Sequence, residues 1–129
     1  MTTGYSVEIA ESSMELTAKE RIKLKDTTNA IKLDELTQEE GNEQVIIEPQ
    51  AYAVLNIHNE HSDQNKDYVN YVLVDKDGTK YVTSSESFWT SFMEIYKEME
   101  NEAEPWKIVV YRVPSKNFKG KEFLTCSIV

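Results

Sequence analysis

Two β-rich runs joined by a tight-turn sequence constrain the fold of this chain more than any other feature. The run from Tyr68 to Val74 is rich in β-branched and aromatic residues, and Lys80 to Thr83 follows it. Between them lies Asp75-Lys76-Asp77-Gly78, in which Asp77-Gly78 supplies the positive φ angles that tight turns need. The pattern therefore predicts a β-hairpin and, with it, an antiparallel sheet.

A single amphipathic helix is predicted directly after this hairpin. Ser84-Ser85-Glu86-Ser87 supplies N-cap candidates and an acid in the first turn. Apolar side chains then recur at helical spacing, which is typical of a stripe that faces the core and not of a ligand site. The stripe comprises Phe88, Phe92, Ile95, Tyr96 and Met99.

Further strands are predicted on both sides of this unit. Alternation of apolar and polar residues favours a short strand around Tyr5 to Ile9 and another at Arg21 to Lys25. Helix is the alternative for the first half of the stretch from Glu15 to Lys25. One long strand is predicted to open at Val45 to Ile47 and to continue, with a bend, through Ala51 to His58. The remaining predicted strands are Lys107 to Val113 and Lys121 to Val129.

The order of these elements predicts the fold class. One helix between the third and fourth main strands matches the five-stranded barrel of the OB-fold. We therefore predict a mainly β protein with one principal helix, forming a single OB-like domain over residues 1–129. Residues 1–4 are expected to fray, and residues 26–44 form a long connection with one helical turn near Leu33 to Leu36. An α+β sheet with one helix packed on a face is the alternative.

Composition places the chain among soluble globular proteins. Apolar residues make up 40% of it and charged residues 29%, and no apolar run approaches the roughly 20 residues of a membrane span. The single cysteine, Cys126, lies in an apolar run, where a small buried side chain is expected and not a nucleophile. These features predict a cytoplasmic protein with no membrane association.

No residues in the sequence have the spacing of a catalytic or metal site. His58 and His61 lie near carboxylates, but a metallopeptidase needs two histidines four apart on a helix with an adjacent Glu. Gly78 and Gly120 are single turn glycines and do not form a phosphate-binding loop. We therefore predict that the protein is not an enzyme and has no metal or cofactor.

The carboxy-terminal segment differs in charge from the rest of the chain. The sequence has a formal net charge of −9, yet residues 105–129 contain five basic residues and one acid. Because alternate residues of a strand share a face, Lys107 and Tyr111 lie on one side and Arg112 on the other. Cations beside aromatic rings suit single-stranded nucleic acid; a cationic hairpin that only protects a sheet edge is the alternative. The tip of this hairpin holds Lys116, Phe118, Lys119 and Lys121.

The second half of the chain resembles the single-stranded DNA-binding proteins of small tailed phages, particularly those that copy linear genomes by protein priming. The resemblance lies in the hairpin from Tyr71 to Thr83, the Ser-rich cap before a Phe-containing helix, and a closing hairpin that ends in Lys119-Gly120-Lys121-Glu122-Phe123-Leu124. It implies an OB-like fold and DNA binding without sequence preference. Such a protein would coat and protect DNA during phage or mobile-element replication in the host cytoplasm, alongside replication proteins.

The residues and the resemblance together predict a set of nucleic-acid contacts. For Tyr71 and Tyr81, packing in the core or at its rim is the alternative to stacking on bases. The predicted set is Tyr71, Tyr81, Lys107, Tyr111, Arg112, Lys116, Phe118, Lys119 and Lys121. The alternative function is an acidic phage-type inhibitor that binds a host enzyme and presents its carboxylates as a DNA mimic.

Overall fold

Eight strands and three helices make up the part of the chain that the computed structural model describes, residues 5–13, 15–41, 43–61, 66–114 and 122–129. The helices are α1 (Ala18–Lys25), α2 (Leu33–Leu36) and α3 (Glu86–Met99). The strands are β1 (Tyr5–Ser12), β2 (Ile31–Lys32), β3 (Val45–Ile47), β4 (Pro49–Asn59), β5 (Asp67–Asp75), β6 (Lys80–Thr83), β7 (Ile108–Pro114) and β8 (Glu122–Ile128). None of these helices combines the length and apolar composition that crossing a bilayer requires.

The strands form two sheets. The larger sheet has the order β1-β4-β5-β6-β2 and the smaller sheet the order β3-β7-β8. All neighbours pair antiparallel except β2 and β6, which are parallel. The chain crosses from the smaller to the larger sheet at Glu48, and the register of β4 shifts between Pro49 and Ala51, as expected of a proline at a strand end.

This topology confirms a mainly β protein with one principal helix, but not the predicted closed barrel. In the described ranges the two sheets stay open, and the arrangement is that of a β-rich α+β fold. The physical reason is the break at Glu48, which sends β3 to pair with β7 while β4 pairs with β1 and β5. The predicted long strand is thus divided between the two sheets.

The main core lies between the two sheets and α3. Tyr52 and Leu73 enter it from the larger sheet, and Phe88 and Phe92 from the helix. The smaller sheet contributes Ile47, Ile108, Val110, Leu124 and Cys126. Cys126 is buried as predicted, and burial raises the pKa of its thiol to about 12. A second cluster covers the opposite face of the larger sheet and combines Leu24 of α1 with Leu55 and Val72 of the sheet.

Helix α3 begins where its capping sequence predicts. Ser85 is the N-cap, and its side chain accepts a hydrogen bond of 3.2 Å from the backbone N–H of Phe88. The helix lies beside β8, the edge strand of the smaller sheet, and Ser87 Oγ donates to the Leu124 carbonyl at 2.8 Å. The Leu124 carbonyl, which lies on the edge strand, thereby gains a hydrogen-bond donor.

The predicted hairpin is confirmed by β5, β6 and the turn between them. Tyr71 pairs with Thr83 and Leu73 with Tyr81. Gly78 has φ of +92°, whereas Asp77 has no positive φ and instead accepts a hydrogen bond of 2.9 Å from the Thr79 N–H. The turn therefore needs one left-handed residue, where the sequence predicted two.

The strand predicted at Arg21 to Lys25 is wrong, because this segment belongs to helix α1. Thr17 and Glu20 form a capping box: Thr17 Oγ1 accepts from the Glu20 N–H at 3.2 Å, and Glu20 accepts from the Thr17 N–H at 3.1 Å. The apolar alternation misleads because Ile22 is 69% exposed and Leu24 is the buried residue of the helix. The capping box at the start of α1 therefore outweighs the apolar alternation of Ile22 and Leu24, because Ile22 faces water.

We expect Thr17→Ala to lower the free energy of unfolding by about 1 kcal/mol, the usual cost of a lost N-cap. Amide hydrogen exchange in α1 should accelerate because its first N–H groups lose an acceptor. Thr17→Ser keeps the oxygen and is the matched control. Equal stability of Thr17→Ala and the natural protein would contradict the role assigned to the capping box.

Candidate nucleic-acid interface

The face of the smaller sheet turned away from the core is the candidate interface. Ile108, Val110, Leu124 and Cys126 are buried, so the residues that alternate with them along β7 and β8 lie on the opposite side. We call that side the outer face. It comprises Ile46 on β3, Val109, Tyr111 and Val113 on β7, and Phe123, Thr125 and Ser127 on β8. At its edge Thr125 Oγ1 lies 3.0 Å from Ser91 Oγ of α3, and Lys107 directly precedes β7.

Two aromatic rings lie on adjacent strands of the outer face. Tyr111 pairs with Thr125 and Val113 with Phe123, so Tyr111 and Phe123 are diagonal neighbours, about 7–8 Å apart in a regular ladder. The Tyr111 hydroxyl is 2.7 Å from Ser127 Oγ, which fixes the ring on the sheet. Phe123 is 41% and Ile46 51% exposed. The face thus presents apolar and aromatic surface to solvent.

Lys107 gives the outer face a positive charge. It is exposed, directly precedes β7, and forms no ion pair with any residue in the described ranges. Its backbone carbonyl accepts from the Val129 N–H at 3.0 Å, which holds the end of the chain beside it. Tyr111 lies on the outer face, and the prediction that Lys107 shares this face stays a prediction, since Lys107 precedes the first paired residue of β7, Ile108. The predicted contacts at Lys116, Phe118, Lys119 and Lys121 lie outside the described residues.

Tyr71 and Tyr81 lie on the other sheet, away from Tyr111. Tyr71 stacks on Trp89 with the ring centroids 4.7 Å apart and the planes at 13°. Tyr81 packs against the main core. Burial raises the pKa of both hydroxyls. The structure therefore does not bring these two rings together with Lys107 and Tyr111, and we leave them out of the candidate interface.

Arg112 lies on the inner side of β7, as its position in the strand predicts, but its guanidinium has structural partners. Nε donates to Thr37 Oγ1 at 2.9 Å, and one terminal nitrogen donates to the Asp34 carbonyl at 2.6 Å. The side chain is 17% exposed. Arg112 thus ties β7 to α2 and is not placed to contact a nucleic acid on the outer face.

Phe123 and Ser127 lie on the outer face with Tyr111 but are absent from the predicted set. Both sit in the apolar closing strand, which the sequence marks as core. Phe123, Thr125 and Ser127 alternate along β8 on the side that carries Tyr111, and this alternation would have identified them. Recognising it requires the register between β7 and β8. That register cannot be read from either strand alone.

His58 forms a separate polar group at the far end of the larger sheet. Nδ1 lies 2.6 Å from Asp67 Oδ1 and Nε2 lies 3.4 Å from Glu60 Oε1. The hydrogen bond to Asp67, assisted by that to Glu60, raises the pKa of His58 above its ordinary value of 6.5. No cluster of three or more metal-binding side chains occurs among the residues that the structure describes.

Asp67→Asn should return the pKa of His58 towards 6.5, because the principal hydrogen-bond acceptor loses its charge. A raised pKa means that protonated His58 stabilises the fold fully below pH 6.5 and that this contribution disappears as pH rises through the folded value. An NMR titration of the imidazole measures the shift directly. An unchanged midpoint in Asp67→Asn would show that Asp67 is not the cause.

Comparison with known proteins returned no match. A scan against protein-family models found no family, and searches among curated proteins and among solved structures found no similar protein. The resemblance to phage single-stranded DNA-binding proteins therefore stays a prediction.

Proposed function

We propose that the protein binds single-stranded DNA, without sequence preference, across the outer face of the smaller sheet during phage or mobile-element replication. The observation that carries the proposal is that Tyr111 and exposed Phe123 lie on one face of the smaller sheet, with exposed Lys107 immediately before β7. The OB-like relationship implied by the sequence resemblance is part of the same proposal. The protein would act in stoichiometric amounts and without turnover, alongside the replication proteins.

The chemistry of the face suits unpaired bases. Each ring that stacks on a base contributes about 1–3 kcal/mol, whichever base it is. Lys107 neutralises backbone phosphate, and three further lysines follow in the sequence before Glu122. Because charge effects are screened within about 8–10 Å at physiological salt, the acidic remainder of the chain does not prevent local binding. The acidic remainder does restrict a polyanion to the carboxy-terminal segment, where the basic residues lie.

Fluorescence anisotropy of a labelled oligothymidylate tests the proposal. A label on the DNA is preferable to intrinsic fluorescence, because neither Trp89 nor Trp106 lies on the outer face. We expect binding that weakens steeply as salt is raised and a much weaker response with duplex DNA of the same length. Absence of binding at low salt would remove the proposal.

Tyr111→Ala should weaken this binding by about 1–3 kcal/mol, the range measured when a stacking ring is lost. Tyr111→Phe is the matched control: it keeps the ring and loses only the hydrogen bond to Ser127. We expect the Phe variant to bind nearly as well as the natural protein. If Tyr111→Ala binds equally well while remaining folded, the DNA lies elsewhere.

A further inference from the structure

A second open surface lies on the larger sheet, beyond the part that α3 covers. Val7, Ile9, Leu55 and Ile57 belong to the cluster on one side of this sheet, so the residues that alternate with them lie on the other. On that side α3 packs over Tyr52 and Leu73, and its Trp89 stacks on Tyr71 in the adjoining row. The rows beyond hold half-buried Val54 and exposed Asn56 and Val69. We call these rows, together with Trp89 and Glu86 of α3 at their border, the second face. It comprises Glu8, Glu11, Val54, Asn56, Val69, Tyr71, Trp89 and Glu86.

The centre of the second face is apolar and aromatic. The parallel stack of Tyr71 on Trp89, at 4.7 Å, forms a half-buried platform at the border with α3. Val54 pairs with Tyr71, and Val69 pairs with Asn56 and is 36% exposed. An uncovered apolar area next to a rigid ring pair is typical of an interaction surface.

The rim of the second face is acidic. Glu8 pairs with exposed Asn56, and Glu11 accepts a hydrogen bond of 3.3 Å from the Tyr52 hydroxyl. Glu86 opens α3 close enough to Tyr71 for its charge, after burial, to raise the pKa of that hydroxyl. The three strands β1, β4 and β5 contain no lysine or arginine. The local potential is therefore negative, and phosphate is disfavoured here.

We propose that the second face binds an arginine-rich segment of a partner protein. Guanidinium groups stack on aromatic faces and pair with carboxylates, and this face offers both kinds of group side by side. Charge complementarity thus selects a basic partner and excludes DNA from this side. The inference does not depend on the proposed DNA binding, because it uses the other sheet and the opposite charge.

Titration with a short arginine peptide tests the inference in a Trp106→Phe background, where Trp89 is the remaining tryptophan. We expect a saturable change in Trp89 emission. Glu8→Gln with Glu86→Gln should weaken binding about fivefold or more, since two rim charges are lost. The matched control, Glu15→Gln with Glu40→Gln, removes the same charge from exposed positions outside this face and should bind like the parent.

Several results would overturn this inference. Constant Trp89 emission would exclude binding beside the ring pair. Equal weakening by the control pair and the rim pair of substitutions would indicate attraction to net charge only. A lysine peptide that binds as tightly as the arginine peptide would remove the role given to the ring pair. Sedimentation showing that the protein self-associates, and that the rim substitutions abolish it, would assign the face to a second copy. The oligothymidylate titration of Tyr111→Ala is unaffected by any of these outcomes.

Discussion

Replacing Phe92 by alanine should lower the free energy of unfolding by about 3–5 kcal/mol, the usual cost of removing a buried phenyl ring. Phe92 is fully buried at the centre of the main core. Its ring centroid lies 5.1 Å from that of Trp89 and 6.0 Å from that of Tyr52. The rings of Phe88 and Tyr96 also pack against it. Such a loss is a large share of the roughly 5–15 kcal/mol by which single domains are stable.

Denaturant unfolding followed by circular dichroism measures this loss. Phe92→Leu is a milder control, because it keeps most of the apolar volume. A second comparison, Phe123→Ala, removes the same ring from a site that is 41% exposed and should cost much less. Equal losses for Phe92→Ala and Phe123→Ala would contradict the position of the core between the sheets and α3.

Arg112→Ala should cost about 3 kcal/mol of stability, because hydrogen bonds to charged groups contribute about 1.5–3 kcal/mol each. The substitution removes the donors to Thr37 Oγ1 and to the Asp34 carbonyl, and leaves that carbonyl without its partner from β7. The contact between β7 and α2 should loosen first. Amide exchange in α2, compared with exchange in β5, would show where the loss begins.

Arg112→Lys is the informative control for this position. Lysine keeps the charge but lacks the planar fork, so it cannot reach both oxygens in the same geometry. We expect Arg112→Lys to lose stability as well, while oligothymidylate binding per folded molecule stays unchanged. A selective loss of DNA affinity in a fully stable Arg112→Lys would place this side chain in the interface after all.

Local signals in the sequence predicted much of the fold. The Asp77-Gly78 turn, the Ser85 cap and the stripe through Phe88 and Phe92 each specify their element within a few residues, and the structure has all of them. The buried state of Cys126 also follows from its apolar neighbours. These features are determined by contacts between residues close in the chain.

The predictions were wrong where the structure is determined by contacts between residues distant in the sequence or by a helix cap. The break at Glu48 divides one β segment between two sheets, and only the pairing of β3 with β7 reveals it. At Ile22 the alternation suggested a strand, whereas the capping box at Thr17 starts a helix. Tyr71 is an aromatic residue of the kind that stacks on bases. In the structure its ring instead stacks on Trp89, which belongs to helix α3.

The candidate interface was predicted in part for the same reason. Strand periodicity predicts Lys107 with Tyr111 and separates them from Arg112, and the structure shows Tyr111 and Arg112 on opposite sides of β7. The contribution of Phe123 depends on the register between β7 and β8, which sequence reasoning did not supply. The predicted site also combined Tyr71 and Tyr81, which lie on the larger sheet, with Tyr111 on the smaller sheet.

Mapping amide chemical shifts of the isotope-labelled protein during addition of an oligothymidylate tests the central claim most directly. The proposal predicts that the largest shifts fall on β7 and β8, around Tyr111 and Phe123, and grow as salt is lowered. Shifts confined to β4 and β5 around Tyr71, with β7 and β8 unchanged, would contradict it.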